Sequence, residues 1–160
     1  MKLKLNGRAV EREVPPNLTL LDFLRNELRL TSAKKGCDEG ECGTCTVLLD
    51  GQPVNSCLVL AVQVADQEVT TLEGLGTDGE PNPTQQAFLD HYGFQCGFCT
   101  PGVILVAEAL LDRTAAPTEA EIKEALDGNL CRCTGYRQII ESVQKAAELR
   151  AAQAKGRERP

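Results

Sequence analysis

Residues 36–45 read Gly36-Cys37-Asp38-Glu39-Gly40-Glu41-Cys42-Gly43-Thr44-Cys45. Three thiols spaced C-x4-C-x2-C on one short loop, with a fourth at Cys57, carry the ligand spacing of a plant-type [2Fe–2S] site. Three ligands on one loop must converge on two adjacent irons. Gly36, Gly40 and Gly43 let that backbone take positive φ and approach the cluster closely. Backbone N–H groups then donate to sulfur and help set the potential. Cys57 must arrive from another element, beyond the Asp50-Gly51 turn, and only eleven residues separate it from Cys45. Zinc is the main rival for this quartet, but zinc ribbons pair two similar short knuckles, and C-x4-C-x2-C is not that form.

The other four of the eight cysteines lie far along the chain, in Cys96-Gly97-Phe98-Cys99 and Cys131-Arg132-Cys133. Each pair precedes an expected helix start. Thiolate and cluster sulfur are anionic, so two helix N-termini aimed at one site would stabilise that charge. Taken alone this second quartet also suits zinc, because four thiolates are a good zinc shell. A thioredoxin-like role for the Cys96/Cys99 pair is a further alternative, although it leaves Cys131 and Cys133 unexplained. A disulfide framework is disfavoured where thiols are kept reduced. The single histidine, His91, excludes Rieske centres and two-cysteine, two-histidine zinc fingers. Thr100 after Cys99 excludes C-x-x-C-H haem attachment. His91 itself is expected at the exposed end of a helix.

The remainder of the chain fits two small domains in 160 residues, with 42% hydrophobic and 25% charged residues. A net charge of −6 argues against a nucleic-acid binder. The opening Met1–Asn6 lacks the apolar core of a secretory signal, and no run approaches a membrane span, so a cytoplasmic location is expected.

In the first half, Lys2–Leu5 and Arg8–Val14 flank Asn6-Gly7, a strong hairpin turn. Asn17 or Thr19 can cap a helix carrying Leu21, Leu24 and Leu28. Thr46–Leu49 reads as a strand, with further strands expected within 54–64 and 69–72. Gly74–Pro83 is rich in glycine and proline and reads as a linker. The second half reads as four helices. Asn82-Pro83 caps the first, running to about His91. Pro101 or Gly102 opens the second, apolar almost all round at Val103–Leu111 and therefore expected to be buried on most sides. Thr118 and Glu121 make a capping box for the third. The fourth runs from Gly135 to about Leu149, followed by a polar tail.

The segment at 36–45, Gln95-Cys96-Gly97-Phe98-Cys99-Thr100-Pro101-Gly102 and Gly128-Asn129-Leu130-Cys131-Arg132-Cys133-Thr134-Gly135-Tyr136 together resemble the iron–sulfur subunit of the xanthine dehydrogenase (molybdenum hydroxylase) family. The resemblance covers about residues 2 to 150. It implies an α+β protein: an N-terminal plant-ferredoxin-like β-grasp domain (1–75), a linker (76–82), a C-terminal four-helix [2Fe–2S]-binding domain (83–150) and a tail (151–160). It implies two [2Fe–2S] clusters, on Cys37, Cys42, Cys45 and Cys57 and on Cys96, Cys99, Cys131 and Cys133. It also implies a molybdopterin-binding large subunit and an FAD-binding medium subunit as partners, with single electrons passing from molybdenum through the inner, helical-domain cluster and the outer cluster to FAD. Gln95 matches the glutamine that hydrogen-bonds the pterin, and Cys133 the ligand whose sulfur contacts the pterin amino group. Arg132 is read equally as a tuner of cluster charge and as a solvated side chain. On this reading the chain resembles the small subunit of a split bacterial enzyme. A free-standing ferredoxin-like carrier and a zinc-stapled interaction module are the alternatives.

Overall fold

The computed structural model describes residues 1–77 and 79–157; Asp78, in the expected linker, and residues 158–160, in the expected tail, lie outside the described residues. The first half is a five-stranded mixed sheet in the order β2-β1-β5-β3-β4. Strands β1 (Lys2–Leu5) and β2 (Arg8–Glu11) form the expected hairpin, and Asn6 and Gly7 both take positive φ, as a tight two-residue turn requires. β5 (Glu68–Thr70) pairs parallel with β1 and antiparallel with β3 (Thr46–Leu49), which pairs antiparallel with β4 (Gln52–Asn55). Asn6 also reaches across the sequence. Its Oδ1 accepts from the Thr71 N–H at 2.9 Å and its Nδ2 donates to Thr71 Oγ1 at 3.0 Å.

Of the two candidate caps, Thr19 begins the helix of this half, accepting from the Asp22 N–H at 3.1 Å. Helix α1 (Leu20–Asp22) continues as a π-helical turn over Phe23–Glu27 and lays Leu20, Leu21, Phe23 and Leu24 on the sheet. The expected strand region after β4 is only partly extended: residues Ala61–Val64 form a 3₁₀ turn that buries Ala61 and Val64 against the same core. The expected linker holds a short turn closed by an isolated Thr77–Glu80 bridge.

The second half is helical: α2 (Pro83–Asp90), α3 (Thr100–Arg113), α4 (Glu119–Leu126) and α5 (Arg137–Arg157). Asn82 caps α2 and Thr118 caps α4, each in a full capping box. α5 runs well past the expected end near Leu149. Arg150 binds Asp112 and approaches Glu108 of α3, so the polar segment after the apolar stripe is pinned by charge. Ala87, Ala146 and Ala147 leave room for α2 and α5 to pack closely.

The reason for the all-round apolarity of α3 is geometric. One side faces Ile122, Ile139 and Val143 of its own half, and the other places Leu105 and Ala109 against Leu48 of β3. α3 is thus the shared wall between the sheet and the helices. Leu105→Ala, at a side chain only 1% exposed, is expected to destabilise the protein by about 2–5 kcal/mol, measurable as an earlier denaturant midpoint.

Candidate metal centres

Each quartet gathers as two pairs of thiols. In the loop after residue 36, the Cys37 N–H points at Cys42 Sγ and the Cys42 N–H at Cys37 Sγ, both at 3.4 Å. The Cys45 and Cys57 sulfurs stand 3.4 Å apart. In the helical half, Cys96 and Cys133 sulfurs are 3.5 Å apart, and the Cys99 thiol sits beside that of Cys131. Two thiolates on one tetrahedral ion, with bonds of about 2.3 Å, stand about 3.8 Å apart. The Cys45/Cys57 and Cys96/Cys133 pairs therefore come close to the spacing for one iron, and two pairs make the four-thiolate shell of a [2Fe–2S] cluster. Among the described residues no group of three or more histidine, cysteine or acidic side chains is arranged to hold a single metal ion.

The backbone is shaped around these sulfurs. Gly40 and Gly43 take positive φ, as expected, but Gly36 does not. Its requirement is space: a Cβ there would sit 2.7 Å from both Cys42 Sγ and Thr44 Oγ1. Asp38, with φ of 63°, makes the turn that the glycines were expected to supply alone. Amide N–H groups of Glu39 and Cys42 aim at Cys37 and lower its thiol to about 7. Burial, reinforced by the neighbouring Cys45, raises Cys57 to about 11. Cys99, which begins α3, is raised to about 12 by burial and by Cys131. Burial works against the Cys131 thiolate too, but hydrogen bonds from Thr134, Cys133 and Cys99 together outweigh it and lower that thiol. Metal ligation demands deprotonated sulfur, so the raised thiols would release protons as the site fills.

Several contributors lie outside the sequence reading. The Thr44 and Thr134 hydroxyls approach Cys42 and Cys131 sulfur at 3.2 and 3.1 Å. Hydroxyl residues two and three positions beyond a ligand were the available signal. Tyr136, at φ of 66°, accepts from the Cys131 N–H at 2.8 Å and donates to the Asn129 carbonyl at 2.9 Å. Asn55 Nδ2 donates to the Gly40 carbonyl at 2.8 Å, tying the cysteine loop to β4.

The two sites differ in exposure. Cys45 and Cys57 are buried, whereas Cys96 and Cys133 are exposed, together with Gln95 and Arg132 beside them. Gln95 directly precedes Cys96, whose sulfur faces that of Cys133, and both Gln95 and Cys133 are exposed. His91 ends α2 and is exposed, away from any ligand role.

Residues 3–74 match the 2Fe-2S iron-sulfur cluster binding domain and residues 71–144 the [2Fe-2S] binding domain. The chain is 51% identical to the nicotinate dehydrogenase small FeS subunit of Eubacterium barkeri, over 92% of this chain and 94% of that one. It is 44% identical to the aldehyde oxidoreductase iron-sulfur-binding subunit of Escherichia coli K12, over 92% and 71% of the two chains. Among solved structures, quinoline 2-oxidoreductase from Pseudomonas putida 86 superposes with a TM-score of 0.92 at 42% identity, covering 96% of this chain and 95% of that one. The aldehyde oxidoreductase of Desulfovibrio desulfuricans superposes with a TM-score of 0.91 at 43% identity, covering 95% of this chain and 17% of that one. Two consecutive cluster domains, the paired thiols and these likenesses agree: the chain belongs to the iron–sulfur small-subunit family of the xanthine dehydrogenase (molybdenum hydroxylase) type, the non-catalytic electron-transfer part of such oxidoreductases.

Proposed function

We propose that this chain relays single electrons from a molybdopterin site on a large subunit toward FAD on a medium subunit, within a cytoplasmic molybdenum-dependent hydroxylase or dehydrogenase. The observation that carries this reading is the gathering of both quartets as thiol pairs, one of which, Cys96 with Cys133, lies exposed beside Gln95. Cys37 with Cys42 and Cys45 with Cys57 would hold the two irons of the outer cluster. Cys99 with Cys131 and Cys96 with Cys133 would hold those of the inner one. When bound, the clusters supply one-electron carriage; the chain fixes their geometry, donates N–H groups to sulfur and sets burial.

The exposed face at Gln95, Cys96 and Cys133 is where a pterin-bearing partner would dock, with Gln95 hydrogen-bonding the pterin and Cys133 receiving the electron. Relatives with names such as small FeS subunit or subunit gamma support a multi-subunit assembly. Among the described residues, no helix is long and apolar enough to cross a membrane. The polar stretch 76–82 would divide the domains 1–75 and 83–150. No side chain here needs to act as acid, base or nucleophile.

The dithionite-reduced native protein is expected to show two distinct S = ½ EPR signals with about four irons and four sulfides per chain, as two all-cysteine [2Fe–2S] sites require. One signal with stoichiometric zinc would reject the relay. A protein that elutes from native extract as a fully active monomer would instead be a free-standing carrier.

Cys45→Ser is expected to remove or cripple the outer cluster signal while the inner signal persists. In the assembled enzyme the substituted chain should leave molybdenum reducible by substrate but stop turnover with the physiological acceptor. Full turnover in that variant would contradict the assigned route.

A further inference from the structure

The two ligand loops interlock. Asn129, two residues before Cys131, is only 4% exposed. Its Nδ2 donates to the Gly43 carbonyl at 2.9 Å and to Thr46 Oγ1 at 3.3 Å. Gly43 lies between the ligands Cys42 and Cys45, and Thr46 directly follows Cys45. One residue along, the Leu130 N–H donates to the Cys42 carbonyl at 3.0 Å. All three bonds join a residue at or beside a ligand of the first site to a residue one or two positions before Cys131 of the second.

The fit leaves no slack. A Cβ on Gly43 would meet the Gly128 carbonyl at 2.2 Å and Asn129 Nδ2 at 2.6 Å. A Cβ on Gly102, in the first turn of α3, would meet the Gly43 carbonyl at 2.5 Å. The Thr46 hydroxyl also donates to the Gly43 carbonyl, at 2.7 Å. On the far side, Tyr136 holds the Asn129 carbonyl and the Cys131 N–H together. A buried primary amide with those partners has one low-energy placement, because leaving its donors unpaired is costly.

We propose that Asn129 is a latch through which the two clusters stabilise one another: filling either site orders its ligand loop, and the latch passes that order to the other loop. The proposal rests on both quartets being [2Fe–2S] sites. Metal binding here contributes to local folding, and a shared rigid contact turns two local orderings into one coupled event. Asn129 is thus a positioning residue for eight ligands of which it is not one.

The test is a double-mutant cycle on the full metal-loaded chain. Iron release from the outer site to a strong ferrous chelator is followed by visible circular dichroism and EPR. Cys131→Ser disables the inner site and is expected to speed outer-site release several-fold. In an Asn129→Ala background the same change is expected to have a markedly smaller effect, because two of the three hydrogen bonds joining the loops are gone. A merely structural asparagine would give additive effects in the two backgrounds. Equal acceleration with and without Asn129, or none in either, overturns the proposal.

Should Asn129→Ala fail to accumulate folded, amide exchange decides with Asn129 intact. Cys131→Ser should then raise exchange across residues 42–46, and Cys45→Ser across 128–131. Unchanged exchange in both would overturn the latch. A native chain lacking iron and sulfide would instead overturn the cluster reading itself, before any question of coupling arises.

Discussion

Helix α3 is the constraint on which the arrangement depends. Its residues from Pro101 to Leu111 are all buried, including Glu108, whose carboxylate is met by Asn82 Nδ2 at 3.0 Å and by Arg150. A helix apolar on every side cannot exist alone in water; it needs a wall on each face. The sheet supplies one wall through Leu48 and the other helices supply the rest. Because the helix follows directly on Cys99 and passes Gly102 against the Gly43 carbonyl, the packing that satisfies its hydrophobic surface also registers one ligand loop on the other. Hydrophobic burial is non-directional. Hydrogen bonds and the two glycine contacts at its N-terminal end convert it into a defined placement.

Local chemistry was readable from the sequence. The Asn6-Gly7 turn, the Asn82 and Thr118 caps and the buried character of α3 each follow from a few neighbouring residues, and each is present. The spacing of the first four cysteines likewise pointed to iron–sulfur chemistry, and the resemblance carried by the three cysteine segments implied the two-domain α+β plan. Features that depend on residues far apart were not readable. Nothing near Asn129 announces that its amide will meet Gly43, and the need for glycine at position 36 arises from Cys42 and Thr44 crowding it. The continuation of α5 past Leu149 brings Arg150 to Asp112 and Glu108 across the bundle, a contact no local pattern announces. The 3₁₀ turn at Ala61–Val64 occupies a stretch whose β-branched residues favour a strand, and burial of Ala61 and Val64 decided against local preference.

The electrostatic handling of sulfur differs between the sites. The outer loop surrounds Cys37 with amide N–H groups, which stabilise thiolate without importing a charged side chain. Both sites add a threonine hydroxyl, Thr44 at Cys42 and Thr134 at Cys131, and the inner site adds a tyrosine that organises the backbone, with Thr134 also meeting the Tyr136 N–H. Such neutral donors adjust the potential of a bound cluster while keeping the chain's net charge unchanged.

The open placement of Cys96 and Cys133 has a consequence for the life of the chain outside an assembly. Thiolate character and solvent access together govern how quickly cysteine sulfur is oxidised. Two of the inner ligands meet dissolved oxidants directly, whereas Cys45, Cys57 and Cys99 are shielded. By access the helical half is the more open end, while half-buried Cys37, with its thiol lowered, offers thiolate character at the other. Covering the face at Cys96 and Cys133 would remove the solvent access on which such oxidation depends.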